Sequence, residues 1–173
     1  ANIREVDAII HVVRCFDDDD VIHVSGSVSA GRDAEIINLE LCLADLSQIE
    51  KRKVRLKKLI KTNNESQIEN NVLERISIEL EKGNSARNIK LNIEEKKLIR
   101  PLGLLTAKPI IYANNLSEDD LQNGNQYSKE IKDLARRENA ESINISAQVE
   151  SELVELSENE RKDYLEGLGV QEG

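Results

Sequence analysis

Two stretches of the chain hold residues whose types and spacing suit the reading of a nucleotide base. The first is "PIIYANNLSEDDL", residues 109–121, where an apolar run passes directly into two asparagines and a cluster of acids. Asn115 brings a carboxamide that donates and accepts at once, the pairing asparagine makes with N7 and the 6-amino group of adenine. Glu118 follows three residues later with a carboxylate, and Leu116 between them offers apolar contact and backbone groups. The second stretch is "ESINISA", residues 141–147, ending on Ser146 and Ala147. If both are neighbouring strands, their loops meet at one sheet edge, and in open α/β sheets ligands lie outside the carboxyl ends of the strands. Asn-x-x-Glu is equally what a helix-capping turn looks like, so either loop alone leaves both readings open.

The histidines differ. His11 alternates with Ile10 and Val12 in a β-branched run and reads as structural, whereas His23 follows "DDDD" in a stretch rich in Gly and Ser. A neutral imidazole on such a loop is able to orient or partly deprotonate a water. The acids at 17–20 resemble a metal site, but consecutive carboxylates do not all converge on one ion, and they read as a solvated loop. Cys15 and Cys42 have neither CxxC spacing nor a ligand cluster, which points to a reduced, cytoplasmic setting. No apolar run approaches the ~20 residues that span a bilayer, and no secretory leader pattern opens the sequence.

The elements that must position these residues follow from periodicity. The 173 residues include one Phe, three Tyr and no Trp, so aliphatic side chains must fill the core, as suits parallel strands between helices. Residues 6–16 read as a buried strand and 17–33 as a loop. From 33 to 61 there is no Gly or Pro, and Ile36, Leu39, Leu43, Leu46, Ile49, Leu56 and Ile60 form one apolar stripe on a helix of about eight turns. "TNNES" interrupts it; Ile68, Val72, Ile76 and Leu80 resume until Gly83. Two such helices joined by a polar turn predict an antiparallel hairpin, a coiled coil inserted over residues 31–102 between the parts 1–30 and 103–173 of an α/β domain. Further helices are expected from the caps Asn92 with Glu95 and Ser157 with Glu160, and from "SKEIKDLARREN" with Ile131 and Leu134 or Ala135 inward. Strand, helix, strand over 109–147 makes a βαβ unit with a parallel sheet.

Charge adds one more surface. The net charge of −9 argues against a domain held on nucleic acid by overall charge. Against that total, Lys51, Arg52, Lys53, Arg55, Lys57, Lys58 and Lys61 crowd the far half of the first hairpin helix. They form either a solvated face or a contact surface for RNA or an acidic protein.

Taken together, "NIREVDAIIHVVRCFDDDDVIHVSG", "RDAEIINLELCLADLSQIEKR", "LLTAKPIIYANNLSEDDL" and "ERKDYLEGLG" give the chain a resemblance to the Obg-like ATPases of the YchF type, over nearly all its length. The resemblance implies a P-loop GTPase-like domain with an inserted coiled coil and a following TGS domain, hydrolysing ATP with Mg²⁺ and associating with the ribosome or its large subunit. It implies a base site of Asn115, Leu116, Glu118, Ser146 and Ala147 that takes ATP in preference to GTP. Ordinary members of the wider class read guanine with an Asp where Glu118 stands; adenine lacks the two donors that such an Asp accepts. The resemblance also makes His23 the catalytic replacement for a missing water-positioning glutamine.

One departure is large. No G-x-x-x-x-G-K-[ST] and no D-x-x-G occurs, so the expectation is a piece of the family protein holding the base half of the site without the phosphate half, and inactive alone. The other reading is a non-catalytic module whose hairpin binds a protein or RNA.

Overall fold

The computed structural model describes residues 3–17, 29–59 and 63–170. The chain divides into two compact units, Ala1–Ile9 with Glu35–Pro109, and Ile10–Ala34 with Ile110–Gly173.

The strands are β1 (Ile9–Arg14), β2 (Ile110–Asn115) and β3 (Glu141–Ile145), in the order β1-β2-β3. β2 and β3 are parallel, with Ala113 opposite Ile143 and Asn115 opposite Ile145. β1 joins in the same sense: Ile9 N donates to Pro109 O and Cys15 N to Asn115 O, a constant offset that only a parallel ladder produces. Pro109, with no N–H to give, stands just before β2 and serves as an acceptor. Helix α4 (Gln126–Arg137) carries the chain from β2 to β3 and buries Ile131, Leu134 and Ala135, the inward set its periodicity predicts. A capping box starts it, Asn125 with Ser128, and Asn139 at φ 54 ends it in the left-handed region that asparagine tolerates. Helices α5 (Ala147–Glu155) and α6 (Glu158–Gly167) follow, α6 opened by the expected Ser157–Glu160 capping box.

The first strand is not buried as its composition predicts. Ile9 and Val13 are buried, but Ile10 is 65% and Val12 59% exposed. Apolar residues on both faces report a strand with a layer on each side. Among the described residues only the face of Ile9, His11 and Val13 has one.

The other unit is built on α1 (Ala30–Leu56) and α2 (Asn64–Glu81). Arg52 meets Glu69, Lys53 meets Glu74, and Leu39 lies over Gly83, so later positions on one helix meet earlier ones on the next and the pair runs antiparallel. Gly83 ends α2 at φ 81; a Cβ there would come within 3.1 Å of Leu39 Cδ2. Asn63 caps α2 by accepting from Glu65 N at 2.8 Å. Cys42, Ile49 and Leu56 of α1 share a core with Val72, Leu73, Ile76 and Leu80 of α2, and with Ile99, Leu102 and Leu104 beyond α3 (Ile93–Ile99) and at its end. α3 opens with the predicted Asn92–Glu95 box, and Pro101 sits at the start of the 3-10 turn Arg100–Leu102 that follows.

The apolar stripe read on α1 holds in its second half, where Ile49 and Leu56 are buried and Leu46 packs against the core, and turns outward in its first half. Ile36, Leu39 and Leu43 are about half exposed or more, at 47%, 50% and 65%, whereas Cys42, Asp45, Ile49 and Leu56 face inward. The reason is Asp45: its buried carboxylate accepts from Leu105 N, Thr106 N, Thr106 Oγ1 and Arg4 Nη1, and helix orientation follows that hub rather than the largest side chains. Among the described residues no helix is long and apolar enough to cross a membrane.

Candidate functional site

The carboxyl ends of β2 and β3 carry the two loops singled out above, and side chains tie them together. Asn115, last residue of β2, accepts with its Oδ1 from the N–H of Ala147 at 2.9 Å, while its carbonyl accepts from Cys15 N at 2.8 Å. Leu116 N donates to Ile145 O at 2.8 Å, so one further rung joins the strands at the edge. Ser146 caps α5, its hydroxyl accepting from Val149 N, which is why a helix opens directly on this loop. Glu118 is half-buried and receives a long bond, 3.5 Å, from the Tyr164 hydroxyl, which donates more closely, at 2.5 Å, to Glu152. Bonding to Glu152 first, then desolvation, then the charge of Glu118 push the Tyr164 phenol up to about 12.

The two asparagines that end β2 divide their work, because neighbouring strand residues face opposite sides. Asn115 turns to the loops. Asn114 is buried, gives its amide to Asn144 Oδ1 at 3.0 Å, and keeps its own Oδ1 without a partner among the described residues. Leu116 is only 2% exposed, so its side chain anchors the loop from within. Asn125, not singled out in the sequence, braces the same edge: it donates to Cys15 O and Asp120 Oδ2, both at 2.7 Å, while capping α4. A capping box with Ser in place of Glu at its third position is the signal that would have revealed it.

His23 lies outside the described residues, as do Asp18, Asp19, Asp20 and Lys61. Asp17 accepts from the Tyr127 hydroxyl at 2.9 Å. Among the described residues no group of three or more His, Cys, Asp or Glu is placed to hold a metal ion. His11 packs its ring on Tyr112 with centroids 5.4 Å apart, and burial lowers its pKa. Cys15 is a buried thiol that burial first, and then the charge of Glu130, push up to about 12, the opposite of a nucleophile's environment.

The basic run on α1 is partly spoken for. Arg52 forms a two-point ion pair with Glu69 at 2.6 and 2.7 Å, and Lys53 reaches Glu74 at 2.5 Å and Glu50 at 3.6 Å. These two hold the helix pair together. Lys51, Arg55, Lys57 and Lys58 stand exposed.

The architecture is that of a GTPase-like α/β domain with an inserted antiparallel helix pair. No protein-family model matches the chain. It is 44% identical over 99% of its length to "Ribosome-binding ATPase YchF" of Bacillus subtilis, and 41% identical over 99% to the protein of that name from Escherichia coli O157:H7. A solved structure described as the Schizosaccharomyces pombe YchF GTPase superposes with a TM-score of 0.85 at 34% identity over 98% of the chain. Over nearly its whole length the chain matches proteins of the YchF type. It spans about half the length of these relatives: 48% of the first, 47% of the second and 47% of the solved chain.

Proposed function

We propose that this chain supplies the base-reading half of an ATP-hydrolysing site, taking ATP in preference to GTP, in a protein that associates with the ribosome. The observation that carries the reading is the bond from Ala147 N–H to Asn115 Oδ1. An N–H at that point would otherwise be the natural donor to the 6-oxo group of guanine. Once it is given to Asn115, the loop favours a 6-amino group instead, which needs an acceptor. Asn115 retains Nδ2 as a donor for N7 and a second lone pair on Oδ1 for the amino group. Glu118, already shared with Tyr164, meets no N–H and no 2-amino donor on adenine. Ser146 fixes the second loop by capping α5, and Leu116 anchors the first from the core.

The relatives carry two descriptions, ATPase for the bacterial proteins and GTPase for the fission-yeast structure, so the base is the property to measure. Hydrolysis also needs phosphate-cradling residues and Mg²⁺ ligands; the sequence holds no G-x-x-x-x-G-K-[ST], and among the described residues no group of three or more His, Cys, Asp or Glu is placed to hold a metal ion. Both belong to the remaining half of the protein, and this chain alone turns over little or no nucleotide. His23 is assigned the orientation of the attacking water. Lys51, Arg55, Lys57 and Lys58 are assigned the contact with ribosomal RNA or an acidic ribosomal protein, with Arg52 and Lys53 bracing the helices beneath them.

Calorimetry with ATP and GTP on the full-length protein tests the base assignment. Tighter ATP binding is expected; equal or tighter GTP binding overturns it. His23→Ala is expected to lower turnover and leave ATP affinity near normal, and unchanged turnover would return His23 to a plain loop residue. Charge reversal at Lys51 and Arg55 is expected to weaken ribosome association and flatten its salt dependence.

A further inference from the structure

β3 is the edge of the sheet, and its outer side is open. In the parallel ladder Ile143 and Ile145 turn their backbone groups towards β2, as the bond from Leu116 N to Ile145 O shows, so Ser142 and Asn144 turn theirs away. Among the described residues no backbone group pairs with them. Open edges are usually blunted by charge along the strand, by a bulge or by a covering segment. Here a groove of about 870 Å³ runs along this edge beside α4. Ser142 and Asn144 form one wall, and Gln126, Lys129, Lys132 and Arg136 the other. Asp133 is the one acid lining it, and it pairs with Arg136 at 3.3 Å, which leaves Lys129 and Lys132 exposed without an acidic partner.

The geometry points to a docking site for an acidic, extended polypeptide segment that adds a fourth strand to β3. Its backbone would bond Ser142 and Asn144, and its alternate side chains, carboxylates, would face Lys129, Lys132 and Arg136. Strand spacing accounts for the fit, since an added strand would lie ~4.8 Å beyond β3, where the groove is. Charge complementarity names the occupant: the chain as a whole is at −9, yet this groove is basic. Single-stranded nucleic acid fits less well, because no aromatic side chain lines the groove for bases to stack on.

The test uses the full-length protein and, as probe, a short synthetic peptide of alternating glutamate and valine, followed by fluorescence anisotropy and by amide hydrogen exchange. Binding is expected, with slowed exchange at the Ser142 and Asn144 amides. Lys129→Glu with Lys132→Glu is expected to weaken it about tenfold, as two lost and reversed surface pairs would. Ser142→Pro removes an outward N–H without touching the ladder to β2, and is expected to weaken the peptide while leaving the melting temperature and nucleotide affinity unchanged. Peptide binding indifferent to Ser142→Pro would reduce the site to loose charge attraction and overturn strand addition. Absence of peptide binding, or preference for a single-stranded oligonucleotide at equal charge, would overturn it as well.

Discussion

Asp45 Oδ2 accepts from both the N–H and the hydroxyl of Thr106, each at 2.8 Å, across a sequence separation of 61 residues. With Leu105 N and Arg4 Nη1 on its other oxygen, this fully buried carboxylate fixes the segment before β2 to the middle of α1. Asp45→Asn would turn an amide donor towards a set of donors. A loss of about 3 kcal/mol is expected in chemical denaturation, the magnitude for breaking a buried charged network. Thr106→Val removes the hydroxyl that donates to Asp45 and accepts from the buried Ala86 N–H, and should lose about 2 kcal/mol, two hydrogen bonds' worth.

Glu69 is 4% exposed and Arg52 is its counter-ion. Arg52→Ala leaves that carboxylate buried and alone. The Arg52 side chain is itself 38% exposed, so solvent moderates the effect, and about 2 kcal/mol is expected. Arg55→Ala, one turn further on at an exposed position, should change stability by less than about 0.5 kcal/mol. Parallel urea titrations of the two variants would separate bracing from surface charge.

If the Asn115–Ala147 bond sets the choice of base, discrimination acts at C6 of the purine. Inosine triphosphate has the 6-oxo group of guanine without its 2-amino group. It is expected to bind the full-length protein about tenfold or more below ATP, as weakly as GTP. Inosine triphosphate binding as well as ATP would move the discrimination to the 2-amino group and to Glu118.

His11 carries a pH dependence. Burial lowers its pKa from 6.5, and its Nδ1 is buried without a partner among the described residues. Above pH 6.5 folded and unfolded states are both neutral at this ring. Below it the unfolded state takes up the proton first, so stability falls as pH drops from 6.5 towards the folded value. His11→Leu is expected to flatten the difference in urea midpoint between pH 7 and pH 5. An unchanged slope would show that other groups carry it.

Much of this fold is legible in the residues. The capping boxes at Asn92 and Ser157, the inward face of α4 and the strand-helix-strand order from Ile110 to Ile145 all follow from local rules, because both the signal and the partner lie within one or two turns. On α1 the same reasoning places Leu46, Ile49 and Leu56 correctly and fails in the first half of the helix. Its inward face is set by Asp45, whose partners at 4, 105 and 106 are distant in sequence, so a stripe drawn through Ile36, Leu39 and Leu43 lands on the wrong side. At the site, Asn115 and Ala147 announce themselves by type and by strand ends. The roles of Asn114, Asn125 and Asn144 depend on strand register and on which face each asparagine takes, and composition in a chain this rich in Asn conceals both.

The register of β1 on β2 bears on how the chain folds. The two strands are 100 residues apart in sequence, between Ile9 and Pro109, and closing so long a loop before any contact rewards it makes a slow folding step. Yet Ile9 and Pro109 both belong to the unit built on the helix pair. Within it Lys108 Nζ donates to Arg4 O and Val6 O, and Ile9 N donates to Pro109 O at 3.0 Å, so closing this unit also sets the starts of both strands in register. The sheet then closes residue by residue from that point, as a zipper does. The closure that completes the helical unit is thus the same event that registers the first two strands.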